Sequence, residues 1–577
     1  MKLREALESI RDSKPRGTEQ TRFQLACSCA PAHLETFFRA FLMRRRPDAD
    51  IAIDTLPYGD LLGGLEAINP SAYTGVAAIC EWRDLDPRLG FRRLGGWAPS
   101  LHEDIVANVE TNLARLGGSV ERLSASVPVA LALPTLPMAP VEISAPAQAL
   151  NLETRLWTEA WKCAQGWLSK RNVRLLSMAE IDRISPPSER FDLRSEIGFG
   201  FPYALRHASA LAESLSGLLA PPPPLKGLIT DLDGTLWRGI VGEVGAGGVC
   251  FTLDTGGQIH GLYQQMLESL AERGVLLGVA SKNDSDLAEQ ALARNDLLVR
   301  RDRFFPVLAN WGSKSELVRQ ILAAWNIGPE AAAFIDDSPM EVEEVRTRFP
   351  QMRTAVFSSE PSKIYELLRQ LREWFGRPAI VEEDRLRARS LQQAAAMEAA
   401  SGEAPGREAF LAALQARISF QLSRDAHDER AFELVNKTNQ FNLNGRRVTE
   451  AGWRQMLSNP EGFLLTASYE DKFGPLGKIA VVLGESRRGD AAISSWVMSC
   501  RAFSRRVEYA TLSYLFESLK LDKILFRFEK TERNTPLQEF FASLGISNAA
   551  PEISRSEFEA RCPALSHRLE AHAAIGS

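Results

Sequence analysis

The feature that most constrains this chain is a form repeated three times in its middle: a short apolar run followed at once by polar, charge-bearing residues. Leu225-Lys226-Gly227-Leu228-Ile229-Thr230 leads into Asp231, Val275–Ala280 into Ser281-Lys282-Asn283, and Ala332–Ile335 into Asp336-Asp337. Apolar runs of this length without polar alternation read as strands buried on both faces. Amphipathic segments at Ile259–Arg273 and Ser315–Trp325 lie between them. Such alternation predicts an α/β domain with a parallel sheet, and it gathers the polar groups at the carboxyl edge, where open α/β sheets take ligands.

A similar rhythm precedes this stretch. Phe23–Cys29, Ile51–Leu56, Gly75–Trp82, Val127–Leu133 and Val173–Leu176 read as strands and Ala32–Arg45 as a helix, giving a first α/β unit over residues 1–220. It ends where Leu211–Leu219 runs into Pro221–Pro224, which cannot continue a helix and make a stiff connector. The second unit spans 225–380. A charged helical pattern, Glu382–Ala400, then reaches the break Ser401-Gly402-Glu403-Ala404-Pro405-Gly406. A third unit, 405–577, has strand-like runs at Ile418–Leu422, Gly462–Ser468, Lys478–Leu483, Ala492–Met498 and Lys523–Phe528, with helices at Asp428–Thr438, Val507–Leu519 and Thr535–Leu544. Three domains are also what 577 residues call for, since one core rarely serves so long a chain.

With 45% apolar and 24% charged residues the composition is that of a globular protein. The start, Met1-Lys2-Leu3-Arg4-Glu5, has no apolar stretch behind it, and no run reaches the ~18 residues of a membrane span. The expectation is a cytoplasmic enzyme with no membrane partner. A net charge of −5 without a dominant basic tract gives no reason to expect nucleic acid. Seven cysteines are scattered, and Cys27 and Cys29 have neither redox-pair nor zinc-knuckle spacing.

Chemistry concentrates at Asp231-Leu232-Asp233-Gly234-Thr235-Leu236-Trp237. Two carboxylates two residues apart in the loop after a strand can meet one phosphate: one attacks, the other protonates the leaving oxygen, and Mg2+ offsets the gathered negative charge. Gly234 lets the backbone turn sharply beside the ligand. Ser281-Lys282-Asn283 offers a hydroxyl, a cation and an amide to phosphate oxygens. Lys314 begins a helix, where its ammonium neutralises charge in the transition state. Asp336 and Asp337 supply carboxylates that a magnesium ion needs beside a phosphate.

This order resembles the haloacid dehalogenase superfamily of aspartate-nucleophile phosphatases and phosphotransferases. The resemblance implies a Rossmannoid domain with Asp231 as nucleophile, Asp233 as general acid/base and Thr235 at the substrate. It implies Ser281 and Lys314 as the phosphate-binding pair, joined by Lys282 and Asn283. Its metal carboxylates are Asp231, Asp233, Asp336 and Asp337, and its cofactor is Mg2+. The stretch from Thr235 to Ser281 is too short for a large cap domain and a helix as well, so the site should be open, which suits a bulky or protein-bound substrate.

Two further runs extend the resemblance. Asn436-Lys437-Thr438-Asn439-Gln440-Phe441-Asn442 and Ser499-Cys500-Arg501, together with Trp237 to Gly245, are similar to the FkbH-like family, which joins a haloacid-dehalogenase-like domain to an acetyltransferase-like (GNAT-like) α+β domain. Phe191–Leu219 and the early α/β unit look like that family's SGNH-hydrolase-like N-terminal region. The resemblance implies a bifunctional glyceryl transferase and phosphatase. It would take the glyceryl unit of 1,3-bisphosphoglycerate, remove its phosphate and load it as a thioester onto a phosphopantetheinylated acyl carrier protein for polyketide-type biosynthesis. The thiol suited to that transfer is Cys500, before a helix N-terminus and near Arg501, Arg505 and Arg506; it also reads as a small buried residue at a strand end.

Other positions stay open. Asn439 and its neighbours either line a pantetheine or glyceryl pocket, which Arg501 adjoins, or cap the end of their helix. Where the family carries R-x-x-G-x-G, this chain has Arg501-Ala502-Phe503-Ser504-Arg505-Arg506, which disfavours cradling of a CoA pyrophosphate by backbone N–H groups. In the first unit Gly59-Asp60 is followed by Leu61 rather than serine, and His207 has no aspartate three residues before it, so a non-catalytic docking domain is expected. The alternative function is a Mg2+-dependent phosphatase of a free small phosphate ester, with the third unit a binding module.

Overall fold

The computed structural model describes residues 1–12, 19–143, 151–170, 172–376, 412, 414–438, 441–472, 474–499, 502, 505–531, 534–547 and 551–573. The chain divides into two compact units between Pro222 and Pro223, inside the proline run.

The first unit holds a sheet of β1 (Glu19–Ala26), β2 (Ala49–Thr55), β3 (Gly75–Ile79), β4 (Val129–Ala132) and β5 (Val173–Leu175) in the order β2-β1-β3-β4-β5, every pair parallel. Alternate residues leave a strand on opposite faces. Accordingly Phe23, Leu25, Ala77, Ile79 and Ala130 pack in one core and Ala26, Val76, Ala78, Val129 and Leu131 in another. The helix Ala32–Arg45 buries Leu34, Phe37, Phe38 and Phe41, whose spacing makes one helical stripe. Strand β1 starts and ends earlier than the sequence suggests: Cys27 and Cys29 lie beyond its end, where Cys27 Sγ reaches the Cys29 carbonyl at 3.7 Å.

The second unit contains two sheets. One is built from β6 (Gly227–Thr230), β7 (Leu276–Ser281), β8 (Phe304–Ala309), β9 (Ala332–Asp336) and β10 (Arg353–Val356), all parallel, in the order β10-β9-β6-β7-β8. The chain winds outward from β6 through β7 to β8, then returns to β6's other side for β9 and β10. Between β6 and β9 the winding therefore reverses, and a ligand crevice opens there at the carboxyl edge. The helices Gln258–Glu272 and Pro361–Phe375 cover one face, and Lys314–Trp325 and Pro339–Arg348 the other.

The other sheet is mixed. It contains β11 (Arg417–Ser423), β12 (Phe441–Asn442), β13 (Gly462–Asp471), β14 (Gly474–Arg487), β15 (Asp490–Met498), β16 (Lys523–Phe526), β17 (Glu552–Ser554) and β18 (Arg568–Ala573). Strand β15 pairs in parallel with β16 from Asp490 to Ile493, then parts from it, and β12 pairs with Val497 and Met498 on the freed edge. The helical run Glu382–Ala400 and the break after it lie outside the described residues.

Candidate active site

The site grows from the β6–β9 pair. Their register sets Thr230 beside Ile335, and the Asp231 amide extends the ladder by donating to the Ile335 carbonyl at 2.9 Å. Asp231 and Asp336 are thereby side by side at the switch point. Ser313 caps the following helix by accepting from the Glu316 amide, which makes Lys314 its first residue. Lys314 Nζ then lies 2.5 Å from Asp231 Oδ1, 2.9 Å from Asp336 Oδ2 and 2.8 Å from the Ala280 carbonyl at the end of β7. Lysine has three N–H donors, and here three acceptors surround it.

All three side chains are nearly sealed from solvent. Burial pushes the Asp231 carboxyl above its ordinary range; Lys314 opposes the rise and Asp336 adds to it. Asp337 is exposed, but partial desolvation of its carboxyl and the charge of Asp336 raise it. Burial acts against the Lys314 charge, but Asp231 and Asp336 outweigh it and hold its proton more firmly than usual. Carboxylate oxygens of Asp231, Asp336 and Asp337 lie within 4.8 Å of one another. Three carboxylates and one ammonium leave two negative charges uncompensated.

Asp233 is arranged differently. Its Oδ1 accepts from Trp237 Nε1 at 2.7 Å and from the Val241 amide at 3.1 Å, and its Oδ2 accepts from Asn283 Nδ2 at 2.9 Å. Among the described residues the grouped carboxylates are Asp231, Asp336 and Asp337; Asp233, expected beside them as a metal carboxylate, stands apart from that group with three donors on its oxygens. Gly234 has φ +73, and a Cβ there would lie 2.3 Å from Asp337 Oδ2, so only glycine meets both the backbone and the space. Thr235 is fully buried, its hydroxyl without a hydrogen-bond partner, and its carbonyl meets His260 Nδ1 at 3.0 Å. In this structure its side chain offers no surface to a substrate.

The Ser281-Lys282-Asn283 run divides its tasks. Ser281 is buried and its hydroxyl accepts from Asn283 at 3.2 Å. Asn283 joins Ser281 to Asp233. Lys282 pairs with Glu341 at 2.7 Å, so its ammonium ties the loop after β7 to the helix after β9 instead of standing free for phosphate.

Beside these acids opens a cavity of about 430 Å3, lined by Gly234, Arg238, His260, Asp337, Ser358 and Lys363 among others. Between Trp237 and the helix Gln258–Glu272 the described residues form no large cap, only the helical turn Val241–Val244, the bridge Arg238–Cys250 and loops. The sequence reading missed His260, which stacks on Phe357 with ring centroids 5.0 Å apart, because it sits in an ordinary amphipathic pattern. It also missed Glu341, the partner of Lys282.

The third unit's candidates Asn439, Cys500 and Arg501 lie outside the described residues. The neighbouring amides are taken up by backbone. Asn436 bridges Phe432, from which it bonds the carbonyl, and both polar groups of Val448, while Asn442 bonds the Thr438 carbonyl and accepts from Asn444 and Gly445. Arg505 is buried, 3.8 Å from Asp471 and over the Tyr469 ring, so it faces inward and not toward a carrier's phosphate.

In the first unit Asp60 caps the helix Leu61–Ala67. His207 is completely buried, with Nδ1 2.9 Å from Ser185 Oγ and Nε2 3.0 Å from Thr135 Oγ1; burial first, then Arg190, pulls its pKa down to about 3. Thr135 donates onward to Glu81 at 2.7 Å. This is a sealed polar network, without room for a substrate at the imidazole. The Cys80 thiol is likewise buried, and burial pushes its pKa well up.

No protein-family model and no curated protein matches the sequence. Among solved structures the chain is similar to the N-terminal part of the protein BF1531 from Bacteroides fragilis, a crystal structure containing a phosphatase domain complexed with Mg. The TM-score is 0.51 and the identity 19%, over 65% of this chain and 98% of that one. An uncharacterized protein from Corynebacterium glutamicum matches with a TM-score of 0.19 and 16% identity, over 26% of this chain and 98% of that one, which is too remote to carry an argument. The first likeness establishes a shared fold, and the parallel Rossmann-like sheet of β6–β10 fits it.

Proposed function

We propose that the β6–β10 domain is a Mg2+-dependent phosphatase of the haloacid-dehalogenase type with Asp231 as its nucleophile. The observation that carries this is the Lys314 ammonium held between Asp231 and Asp336 at the switch point of the sheet. A buried lysine bonded to two carboxylates is costly to assemble for stability alone. It suits a site where a phosphoryl group arrives.

The residues fit a magnesium ion. Asp231, Asp336 and Asp337 are hard oxygen donors grouped within 4.8 Å, and their net double negative charge matches a divalent cation. The Bacteroides fragilis chain of like fold was crystallised with Mg, which supports the same choice. When bound, the ion offsets phosphate charge and polarises the P–O bonds. Asp231 forms a bond to phosphorus as the ester P–O bond breaks, and a proton on Asp233 passes to the leaving oxygen. Water then attacks the phosphorus, gives its proton to Asp233, and releases phosphate from Asp231. Lys314 favours the ionised form of the returning carboxylate against the effect of burial.

The finer reading is that the phosphate removed belongs to a glyceryl unit drawn from 1,3-bisphosphoglycerate, which Cys500 holds or hands to an acyl carrier protein. Its support is the resemblance at Trp237 to Gly245 and Ser499-Cys500-Arg501, together with the parallel β15–β16 pair joined through the helix Val507–Ser518. A glyceryl mass gained from 1,3-bisphosphoglycerate and lost in Cys500→Ala tests it. The cavity of about 430 Å3 beside Asp337 favours the simpler alternative, a free small phosphate ester. Mg2+-dependent turnover of small phosphate esters that is abolished by chelation and by Asp231→Asn is expected of the domain. Turnover that survives Asp231→Asn contradicts the phosphatase assignment.

A further inference from the structure

Trp237 is fully buried in the core between the helix Gln258–Glu272 and the sheet, with Leu232, Leu236, Val241 and Phe251 in the same cluster. Packing therefore fixes its ring, and its single polar atom has one described partner, Asp233 Oδ1 at 2.7 Å. The Val241 amide meets the same oxygen at 3.1 Å. Among the described residues Asp233 Oδ2 has one partner, the Asn283 amide at 2.9 Å, whose nitrogen also donates to Ser281 Oγ at 3.2 Å through its second N–H. One oxygen of this carboxylate is held by two donors, one of them a packed ring, and the other by a single side-chain N–H.

We propose that Trp237 is a positioning residue that fixes Asp233 by Oδ1, leaving Oδ2 as the oxygen that exchanges protons with the leaving group and with water, and that Asn283 supports Oδ2 between exchanges. The proposal rests on the phosphatase reading above. In the first half-reaction the proton leaves Asp233 Oδ2 for the ester oxygen as the P–O bond breaks and the Asp231–phosphorus bond forms. In the second, the attacking water returns a proton to Oδ2 as the Asp231–phosphorus bond breaks. With Cβ held by the backbone and Oδ1 held by its donors, the planar carboxyl group cannot turn, and Oδ2 stays at one distance from the phosphate. Without the anchor it turns about its χ angles, and a misplacement of about 1 Å costs on the order of 100-fold in such a transfer.

The tests use the full chain with Mg2+ and three variants: Trp237→Phe, Trp237 replaced by benzothienylalanine, which keeps the ring volume but has no N–H, and Asn283→Ala. The measured quantity is kcat/KM, which reports the phosphorylation of Asp231, for an alkyl phosphate and for p-nitrophenyl phosphate. An alkoxide needs the proton and a nitrophenolate does not. The benzothienyl variant is expected to lose about 100-fold on the alkyl ester and less than about 3-fold on the aryl ester, within the range that acid–base groups supply. Equal losses on both esters mean a merely structural tryptophan and overturn the proposal, as does no loss on either.

The pairing has its own readout. The Trp237 indole N–H resonance, identified by its absence in Trp237→Phe, is expected to move in Asp233→Asn; an unmoved resonance overturns the anchor. If the wild type turns over no phosphate ester with Mg2+ while that resonance does move, the phosphatase reading has failed and the proton-transfer role falls with it.

Discussion

Lys314 Nζ lies 2.5 Å from Asp231 Oδ1, although 83 residues separate them, because the end of β6 and the first turn of the helix Lys314–Trp325 meet at the same edge of one sheet. The contact gives Asp231 its counter-charge and makes three strand ends depend on one ammonium: β6 through Asp231, β7 through the Ala280 carbonyl and β9 through Asp336. Lys314→Met removes that charge and leaves two carboxylates buried beside each other. Loss of one partner from a buried pair costs about 3–5 kcal/mol. Denaturant unfolding should show a loss of that order without Mg2+, and a smaller one with saturating Mg2+, which replaces part of the missing charge. Phosphatase activity should be lost under both conditions.

Gly234→Ala should damage the metal site more than the fold. The left-handed backbone costs an alanine about 1–2 kcal/mol, and the new Cβ falls 2.3 Å from Asp337 Oδ2. Asp337 must move. Displacing one support of a metal site weakens binding by roughly 10- to 100-fold. Calorimetric titration with Mg2+ should show a weakening of that size and a matching rise in the Mg2+ needed for half-maximal activity.

The first unit should carry its own pH dependence. Burial pushes Glu81 up to about 7, although Thr135 and the Leu136 amide oppose the rise. An acid raised in the folded state lends stability that is fully present below its unfolded pKa of 4.5 and is lost as pH rises toward 7. The loss is about 3 kcal/mol at 1.36 kcal/mol per unit. His207, pulled down to about 3 from 6.5, works in the opposite sense: its contribution is present above 6.5 and fades as pH falls toward 3. In Glu81→Gln the first effect disappears. Thermal melts of wild type and variant should therefore diverge in the variant's favour between pH 4.5 and 7, and run parallel above that range.

The place of the loop that carries Asp231 and Asp233 was legible in the sequence because its signals are local. Strands that are buried on both faces, such as Leu228–Thr230 and Ala332–Ile335, need no partner to be recognised, and the acids follow them directly. The helix Ala32–Arg45 was readable to the residue for the same reason. Strands β8 and β10 were not read. Pro306 interrupts the apolar run of the first, Phe304–Ala309, and proline argues against a strand interior; the second, Arg353–Val356, is a polar edge strand with no such run. The roles of Lys282, Asn283 and Trp237 were hidden for a different cause. Their partners, Glu341 and Asp233, lie four to 59 residues away, and only the fold decides which polar groups meet.

The most direct test of the account is to trap the phosphorylated enzyme. Full-length protein is mixed with Mg2+ and a reactive phosphate ester, quenched within milliseconds and reduced with borohydride, and its peptides are then mapped. Asp231 should be converted to homoserine, dependent on Mg2+, and no conversion is expected in Asp231→Asn. Label at another residue, or label that persists in Asp231→Asn, would contradict it.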